Sequence, residues 1–435
     1  MTERAIRVGI DVGGTFTKAV AIDNDTHEIV GKASVMTTHD HELGVAAGVV
    51  RTFQDCLEEN DIQPEDVIFI AHSTTQATNA LLEGDVAHVG VLGMGKGGLE
   101  GYLAKRQTRI KDIPLGTGKS IQTSHTYRKV SGLNESEARS AVNELKDSGS
   151  EVIVASKAFG VDRMNEEQLV HDVSDQMDIP CSLASDISKL YGLTVRTRTA
   201  AINASILPKM LETANSTQKS VEQTGIKVPL MMMRGDGGVI EVEEMKKRPV
   251  LTMLSGPAAS VVGSLMYLRA SNGIYFEVGG TSTNIGVIKN GRPTVDYSVV
   301  GGHRTYISSL DVRVLGVAGG SMVRVNDGNL VDVGPRSAHI AGLPYAAFTP
   351  EEDIVDPKVV FMRPKKDDPA DYVAIESANG KRLTITNTCA ANALGLVEPD
   401  HYAYGSREAC RKAMKPLADM LGKSVEETAE AILHK

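Results

Sequence analysis

The 435-residue chain has no tryptophan, only seven phenylalanines and only four cysteines. Those cysteines, Cys56, Cys181, Cys389 and Cys410, stand apart without C-x-x-C spacing, which excludes a zinc knuckle and a disulfide framework and fits a reducing compartment. No apolar run is long enough to span a bilayer: the most apolar stretch, Ala258 to Leu268, is short and broken by Gly263 and Ser264. The amino-terminal residues pass from a charged segment straight into a strand, with no apolar leader-like run. A basic surplus is missing too. The net charge is −9, and runs such as Lys246-Lys247-Arg248 and Lys365-Lys366 lie beside acidic residues, so neither a general nucleic-acid surface nor an anionic-membrane surface is expected. The remaining balance, 41% hydrophobic and 23% charged, is that of a globular protein long enough for two or three cores, expected in the cytoplasm.

Glycine is plentiful, and its placement carries information. Gly9-Ile10-Asp11-Val12-Gly13-Gly14-Thr15-Phe16-Thr17-Lys18 and Phe276-Glu277-Val278-Gly279-Gly280-Thr281-Ser282-Thr283-Asn284 each read as an apolar strand ending near an acidic residue, followed by a Gly-Gly-Thr turn. Adjacent glycines let the backbone turn tightly and present N–H groups, and threonines add hydroxyls, which together suit a phosphate. The acidic residues Asp11 and Glu277 fit Mg²⁺, directly or through water. A single Gly-Gly turn after a strand is often only a hairpin. Here Gly13 to Gly279 and Thr17 to Thr283 are the same step of 266 residues (279 − 13 and 283 − 17), which predicts two related lobes, each giving one loop to the phosphates of a nucleotide held between them.

Short β-branched runs alternate with amphipathic stretches, the pattern of α/β layering. Strands are expected at Val67 to Ile70, Val89 to Leu92, Ile354 to Met362 and Tyr372 to Ile375. Helices are expected at Leu43 to Asn60, Glu135 to Ser148 with Asn134 as cap, Glu166 to Met177, Val195 to Thr213, Pro257 to Ala270 and Ser406 to Leu421. Prolines and charges between Pro344 and Lys381 read as an exposed excursion or small subdomain. The domain reading is 1–190, 191–345 and 346–435.

Two further blocks carry candidate chemistry. His72-Ser73-Thr74-Thr75-Gln76 follows a strand, where α/β folds meet ligands, although a helix cap built on Ser73 or Thr74 needs only one of those hydroxyls. His72 is a candidate ligand or acid–base group, against the alternative of a histidine bonded to a backbone carbonyl. Asp236, inside Arg234-Gly235-Asp236-Gly237-Gly238, is a candidate base or metal ligand, or else the side chain of an Asx turn. The methionines before it, Met231 to Met233, read as core filler. Pro257 in Leu254-Ser255-Gly256-Pro257 marks a first helical turn whose amino end favours an anion.

In order, the segments DVGGTFTK, HSTTQATNALLEG, RGDGGV, LSGPAAS, FEVGGTSTN, LGVAGGSMVRV and VGPRSAHIAGLPY resemble the hydantoinase A / 5-oxoprolinase family, over nearly the whole chain from Val8 to about Ala431. The resemblance implies two duplicated actin-like (ribonuclease H-like) ATPase lobes with a nucleotide cleft between them. It also implies ATP and Mg²⁺ as cofactors, a cyclic amide or ketone as substrate, a second (B-type) subunit and an oligomeric assembly. Carried onto this chain, Asp11 orients metal or water; Gly13, Gly14, Thr15, Thr17 and Lys18 hold one set of phosphates, with Thr74 and Thr75 nearby; Gly279, Gly280, Thr281 and Thr283 hold another, with Glu277 as a metal residue; His72 opens the matching histidine-threonine segment as a catalytic candidate. Asp236 joins the catalytic set from its own glycine-flanked turn, as the expected base. The implied activity is ATP-dependent opening of a hydantoin-like or 5-oxoproline-like ring. An acetone-carboxylase-like subunit and a non-catalytic nucleotide switch are the alternatives, and GIDVGGTFTK alone also resembles pantothenate kinases.

The chain departs from the family pattern in several places. Glu277 and Asn284 occupy acidic positions of the second loop, and Ser73 stands where glycine is usual. Past Leu343 the pattern gives way to Pro344-Tyr345-Ala346-Ala347-Phe348 and Thr386-Asn387-Thr388-Cys389-Ala390-Ala391-Asn392. The ending, Leu421 to Ala431, resembles a mid-protein helix of the family, so the expectation is a fragment, or a chain whose site another chain completes.

Overall fold

In the computed structural model, which describes residues 4–13, 16–38, 45–115, 119–268, 271–300, 302–366 and 368–435, period-two patterning decides where the first core lies. Ile6, Val8, Ile10 and Val12 are at most 3% exposed, so strand β1 (Ile6–Val12) turns one whole face inward. It pairs antiparallel with β2 (Phe16–Asp23), which pairs antiparallel with β3 (Ile29–Met36). Helix α1 (Val45–Glu58) lays Val49, Phe53 and Cys56 on that face. Strand β4 (Val67–Thr74) then runs parallel to β1 and leads into α2 (Gln76–Glu83).

A second sheet is made of β5 (Val89–Gly95), β6 (Thr123–Lys129), β7 (Val152–Lys157) and β8 (Cys181–Leu183), all parallel in the order β8-β7-β5-β6. Every residue of β5 is buried, as expected of a parallel strand covered on both faces. The 30-residue helix α3 (Leu193–Glu222) packs on the second sheet and, through Val221, joins the core under the first. Strand β9 (Leu230–Met233) adds parallel to β4, and β10 (Val239–Glu241) closes the first sheet as β10-β9-β4-β1-β2-β3. Helix α4 (Ser255–Leu268) follows.

Contacts divide the chain into one compact unit of Met1–Asn272 with Ile288–Asp311 and another of Gly273–Val287 with Val312–Lys435. The second unit holds β11 (Gly273–Val278), all but the last two residues of β12 (Thr283–Lys289), and β13 (Val312–Leu315), which is antiparallel to β12. Its larger sheet runs β15-β14-β17-β16, from β14 (Ser321–Asn326), β15 (Asn329–Ser337), β16 (Lys358–Met362) and β17 (Tyr372–Glu376). Helices α5 (Asn387–Leu394), α6 (Arg407–Leu421) and α7 (Val425–Leu433) cover it, each started by a hydroxyl cap: Thr386, Ser406 and Ser424. The proline-rich stretch before Lys381 thus delivers a strand whose Val373, Ala374 and Ile375 are fully buried in this core.

The expected helices are present at Val45–Glu58, Glu135–Asp147, Asn165–Asp175, Leu193–Glu222, Ser255–Leu268 and Arg407–Leu421. Asn134 caps its helix by accepting from the Glu137 N–H at 3.0 Å. No helix among the described residues is long and apolar enough to cross a membrane.

Candidate functional site

Three parallel strands, β1, β4 and β9, bring their carboxyl ends to one edge of the first sheet. Register fixes what meets there. Lys18 of β2 lies opposite Asp11 of β1, and Asp11 lies beside Ser73 of β4, so these three side chains form one row on the outer face. The Ser73 hydroxyl donates a short hydrogen bond to the Asp11 carboxylate. Helix α4 begins at the same place: a Cβ on Gly256 would sit 3.5 Å from Asp11 Oδ1 and 3.9 Å from the Thr75 methyl. The amino end of a helix carries unpaired N–H groups and partial positive charge, which favours the Asp11 carboxylate and leaves the spot hospitable to an anion.

The polar block after β4 binds this junction together. The Thr74 N–H donates to Ser255 Oγ at 3.0 Å, and the Ser255 hydroxyl donates back to the Thr74 carbonyl at 2.9 Å. Thr74 Oγ1 accepts from the Gln76 N–H, Asn79 donates to the Thr75 hydroxyl, and the Leu254 N–H donates to Thr78 Oγ1. Leu254 has a φ of 59°, a left-handed conformation that costs a leucine energy and is held here by its neighbours. The cap residue of α2, Thr75, makes no side-chain cap bond, so these hydroxyls tie the junction together and do not cap the helix.

Other expected residues are placed differently. Thr17 is fully buried on the inner face, its hydroxyl within 3.2 Å of the Thr37 hydroxyl, so it shapes the turn from beneath. His72 and Thr74 also point inward; His72 is 2% exposed, on the face of the sheet opposite Asp11, and burial pushes its imidazole down to about 4. A side chain there does not reach the Asp11 row, which separates His72 from the direct catalytic role the sequence proposes for it. Asp236 has both oxygens engaged, one with Arg234 and one with the Gly238 N–H at 3.1 Å, which is the Asx-turn arrangement. Its loop is tightly set, since a Cβ on Gly235 would lie 2.0 Å from the Met253 carbonyl oxygen. Gly14 and Thr15 lie outside the described residues.

In the second unit the repeated phrase makes the same turn. The Gly13 N–H donates to the Phe16 carbonyl at 3.0 Å, and 266 residues on the Gly279 N–H donates to the Ser282 carbonyl at 3.0 Å. The supports differ. The Gly13 carbonyl accepts from the Thr37 hydroxyl at 2.9 Å, whereas the Gly279 and Gly280 carbonyls accept from the backbone N–H groups of Gly319 and Gly320. Thr283 donates to the Val317 carbonyl at 2.6 Å, and Thr281 Oγ1 lies 3.5 Å from Ser337 Oγ. The two departures from the family pattern answer each other: Asn284 donates to Glu277 at 2.9 Å, and the Tyr275 hydroxyl donates to the same carboxylate oxygen. Sequence reading treated Thr386–Asn392 only as a lost motif. The structure brings it to this turn, with the Thr388 N–H donating to the Gly319 carbonyl and Asn387 to the Ala318 carbonyl, so the amino end of α5 adjoins the second glycine turn.

Among the described residues no group of three or more His, Cys, Asp or Glu gathers as a metal cluster. The oxygen donors at the first turn suit a hard cation that keeps most of its waters and takes one carboxylate.

A family model described as hydantoinase/oxoprolinase matches residues 196–435, and one described as the hydantoinase/oxoprolinase N-terminal region matches 7–177. The chain is 26% identical over 364 residues to caprolactamase subunit alpha of Pseudomonas jessenii, covering 78% of this chain and 51% of that one. It is 26% identical over 379 residues to the acetophenone carboxylase gamma subunit of Aromatoleum aromaticum, covering 76% and 49%. The nucleotide-free structure of acetone carboxylase shares the fold with a TM-score of 0.68 at 19% identity, covering 99% of this chain and 61% of that one. The chain thus spans about half the length of these two curated relatives.

Proposed function

The chain belongs to the hydantoinase/oxoprolinase family, and on that premise we propose that it is the ATP-binding part of an enzyme that activates a carbonyl oxygen of a cyclic amide by phosphoryl transfer. The observation that carries this reading is the outer-face row Lys18–Asp11–Ser73, set against the amino end of α4. In the reaction, the amide oxygen attacks the γ-phosphorus and ADP leaves. Water then adds to the activated carbon and the ring C–N bond breaks, leaving a free amine and an acyl phosphate, and a second water cleaves that acyl phosphate to the carboxylate of the opened amino acid and inorganic phosphate.

Phosphoryl transfer depends mainly on positioning and on charge placed where it develops. The glycine turns of Gly13, Gly14 and Thr15 in one unit and of Gly279, Gly280 and Thr281 in the other are assigned to the phosphates, with the Gly13 and Gly279 N–H groups closing the turns themselves. Lys18 adds a cation, and Thr75 with the start of α4 lines the approach. Asp11, oriented by Ser73, would hold Mg²⁺, which supplies neutralising charge to the phosphate oxygens when bound. Glu277, braced by Asn284 and Tyr275, is the corresponding carboxylate of the second unit. A second subunit in an oligomeric, cytoplasmic assembly completes the reading, in line with relatives whose names denote subunits.

The kinship to ketone carboxylase subunits favours one other reading, in which the phosphorylated product passes to another active site. An ATPase screen of the assembled enzyme against cyclic amides, ketones and bicarbonate decides between them. Turnover stimulated by a lactam, hydantoin or 5-oxoproline supports the proposal. Turnover that requires bicarbonate and a ketone replaces it with the carboxylase, and ATP binding with no stimulated turnover defeats both.

A further inference from the structure

In the first unit, several polar atoms with no hydrogen-bond partner gather in one place. Nδ1 and Nε2 of His72, Oε1 of Gln76 and Oγ1 of Thr217 are all buried and bond to no protein group. These three residues line one small cavity of ≈ 10 Å³, walled otherwise mainly by apolar side chains such as Met210, Met232 and Met245. Buried polar groups are almost always satisfied, so three residues left open around one space describe a site.

The chemistry of the lining names its occupant. It holds no carboxylate, lysine or arginine, which suits a neutral ligand. A neutral imidazole offers one N–H and one lone pair, the glutamine oxygen only accepts, and the threonine hydroxyl does either. One water has two hydrogens and two lone pairs and can bond one ring nitrogen, the glutamine oxygen and the threonine hydroxyl together, and the volume is about what one water needs.

Position gives the site a consequence. His72 and Thr74 come from β4, Gln76 is the first residue of α2, and Thr217 belongs to α3. The cavity therefore lies directly beneath Ser73–Thr75, whose outer face bears on Asp11 and the start of α4. We propose that this cavity takes one long-lived water molecule, and that His72, acting through it with Gln76 and Thr217, is a positioning residue for the Ser73–Thr75 wall. The water site stands on the lining alone; its service to catalysis rests on the function proposed above.

Two measurements on the full chain test the proposal. With methyl-labelled methionine and threonine in a deuterated background, the methyls of Met210, Met232 and Thr217 should show water cross-peaks of the sign given by a slowly exchanging molecule. Absence of those peaks, or a stoichiometric soft metal ion found by elemental analysis in the thioether-rich space, overturns the water site. Hydrogen exchange of the Ser73–Asn79 amides should then quicken about tenfold in Thr217→Val, the effect of losing about one hydrogen bond, and return to near the original rate in Thr217→Ser. Equal rates in all three proteins overturn the positioning role. If the assembled enzyme shows no ATP turnover at all, the functional reading fails while the cross-peaks still decide the water site and the exchange rates still decide the positioning of the wall.

Discussion

Acidification should weaken the first unit through His72 in a way that removing the imidazole abolishes. An unfolded histidine takes its proton near 6.5, whereas burial holds His72 down to about 4. Between those values the unfolded chain binds more protons than the folded one, so this stability is present above about 6.5 and is lost as pH falls toward 4. From those two values, moving from pH 7 to pH 5 costs about 2 kcal/mol. His125 contributes with the same sign: burial first, then Arg109 and Lys105, push it down to about 4. Replacing His72 with leucine leaves His125 and the carboxylates as they are, so the difference between the two proteins isolates His72. Urea unfolding, followed by hydrogen exchange of the β1 and β4 peptides, should show wild type losing about 2 kcal/mol more than His72→Leu between pH 7 and pH 5. Parallel pH profiles would refute the argument and imply that the imidazole is solvated in the native protein.

Three other outcomes follow. Asp11→Asn should lower Mg-ATP turnover of the assembled enzyme at least about tenfold with the thermal midpoint little changed, because the carboxylate contributes charge rather than packing; unchanged turnover removes Asp11 from the mechanism. Glu167 is fully buried and accepts from the Lys157 N–H, the Ser185 N–H and the Ser185 hydroxyl, so Glu167→Gln, which turns an amide NH₂ toward those donors, should destabilise the first unit by about 1–3 kcal/mol by chemical denaturation. Gly320→Ala would place a Cβ 2.0 Å from the Tyr345 hydroxyl and 2.5 Å from the Gly280 carbonyl oxygen, so limited proteolysis should open the second unit well before the first, and equal protection of the two would show that the loop yields easily.

Much of this architecture was legible in the residues, and the exceptions have physical causes. The 266-residue step anticipated a shared turn, and the two Gly N–H bonds, at positions 13 and 279, realise it. Thr17 looked like a phosphate hydroxyl because it follows the glycines, yet period-two alternation along β2 puts Thr17, Ala19 and Ala21 on the inner face. Helix α3 was legible only to Thr213, because its later inward positions, Ala214 and Thr217, are small or polar and blur the apolar stripe. Asp236 offered two readings, and only tertiary placement of Arg234 and Gly238 shows how its oxygens are used. The role of Thr386–Asn392 was hidden for the same reason, since its partners, Ala318 and Gly319, lie about 70 residues earlier and bond through backbone atoms.

The two copies of the glycine turn also differ in how much change each can absorb. At Gly13 the supporting donor is a side chain, Thr37, so serine could replace it with the bond kept. At Gly279 and Gly280 the support is main chain, from residues 319 and 320, where a β-carbon would meet Thr388 Oγ1 at 2.8 Å in one case and Tyr345 Oη and the Gly280 oxygen in the other. A saturation scan of this gene should therefore find a permissive buttress under one turn and an intolerant one under its twin. Two halves that began with one phrase would then have unequal freedom to acquire new chemistry.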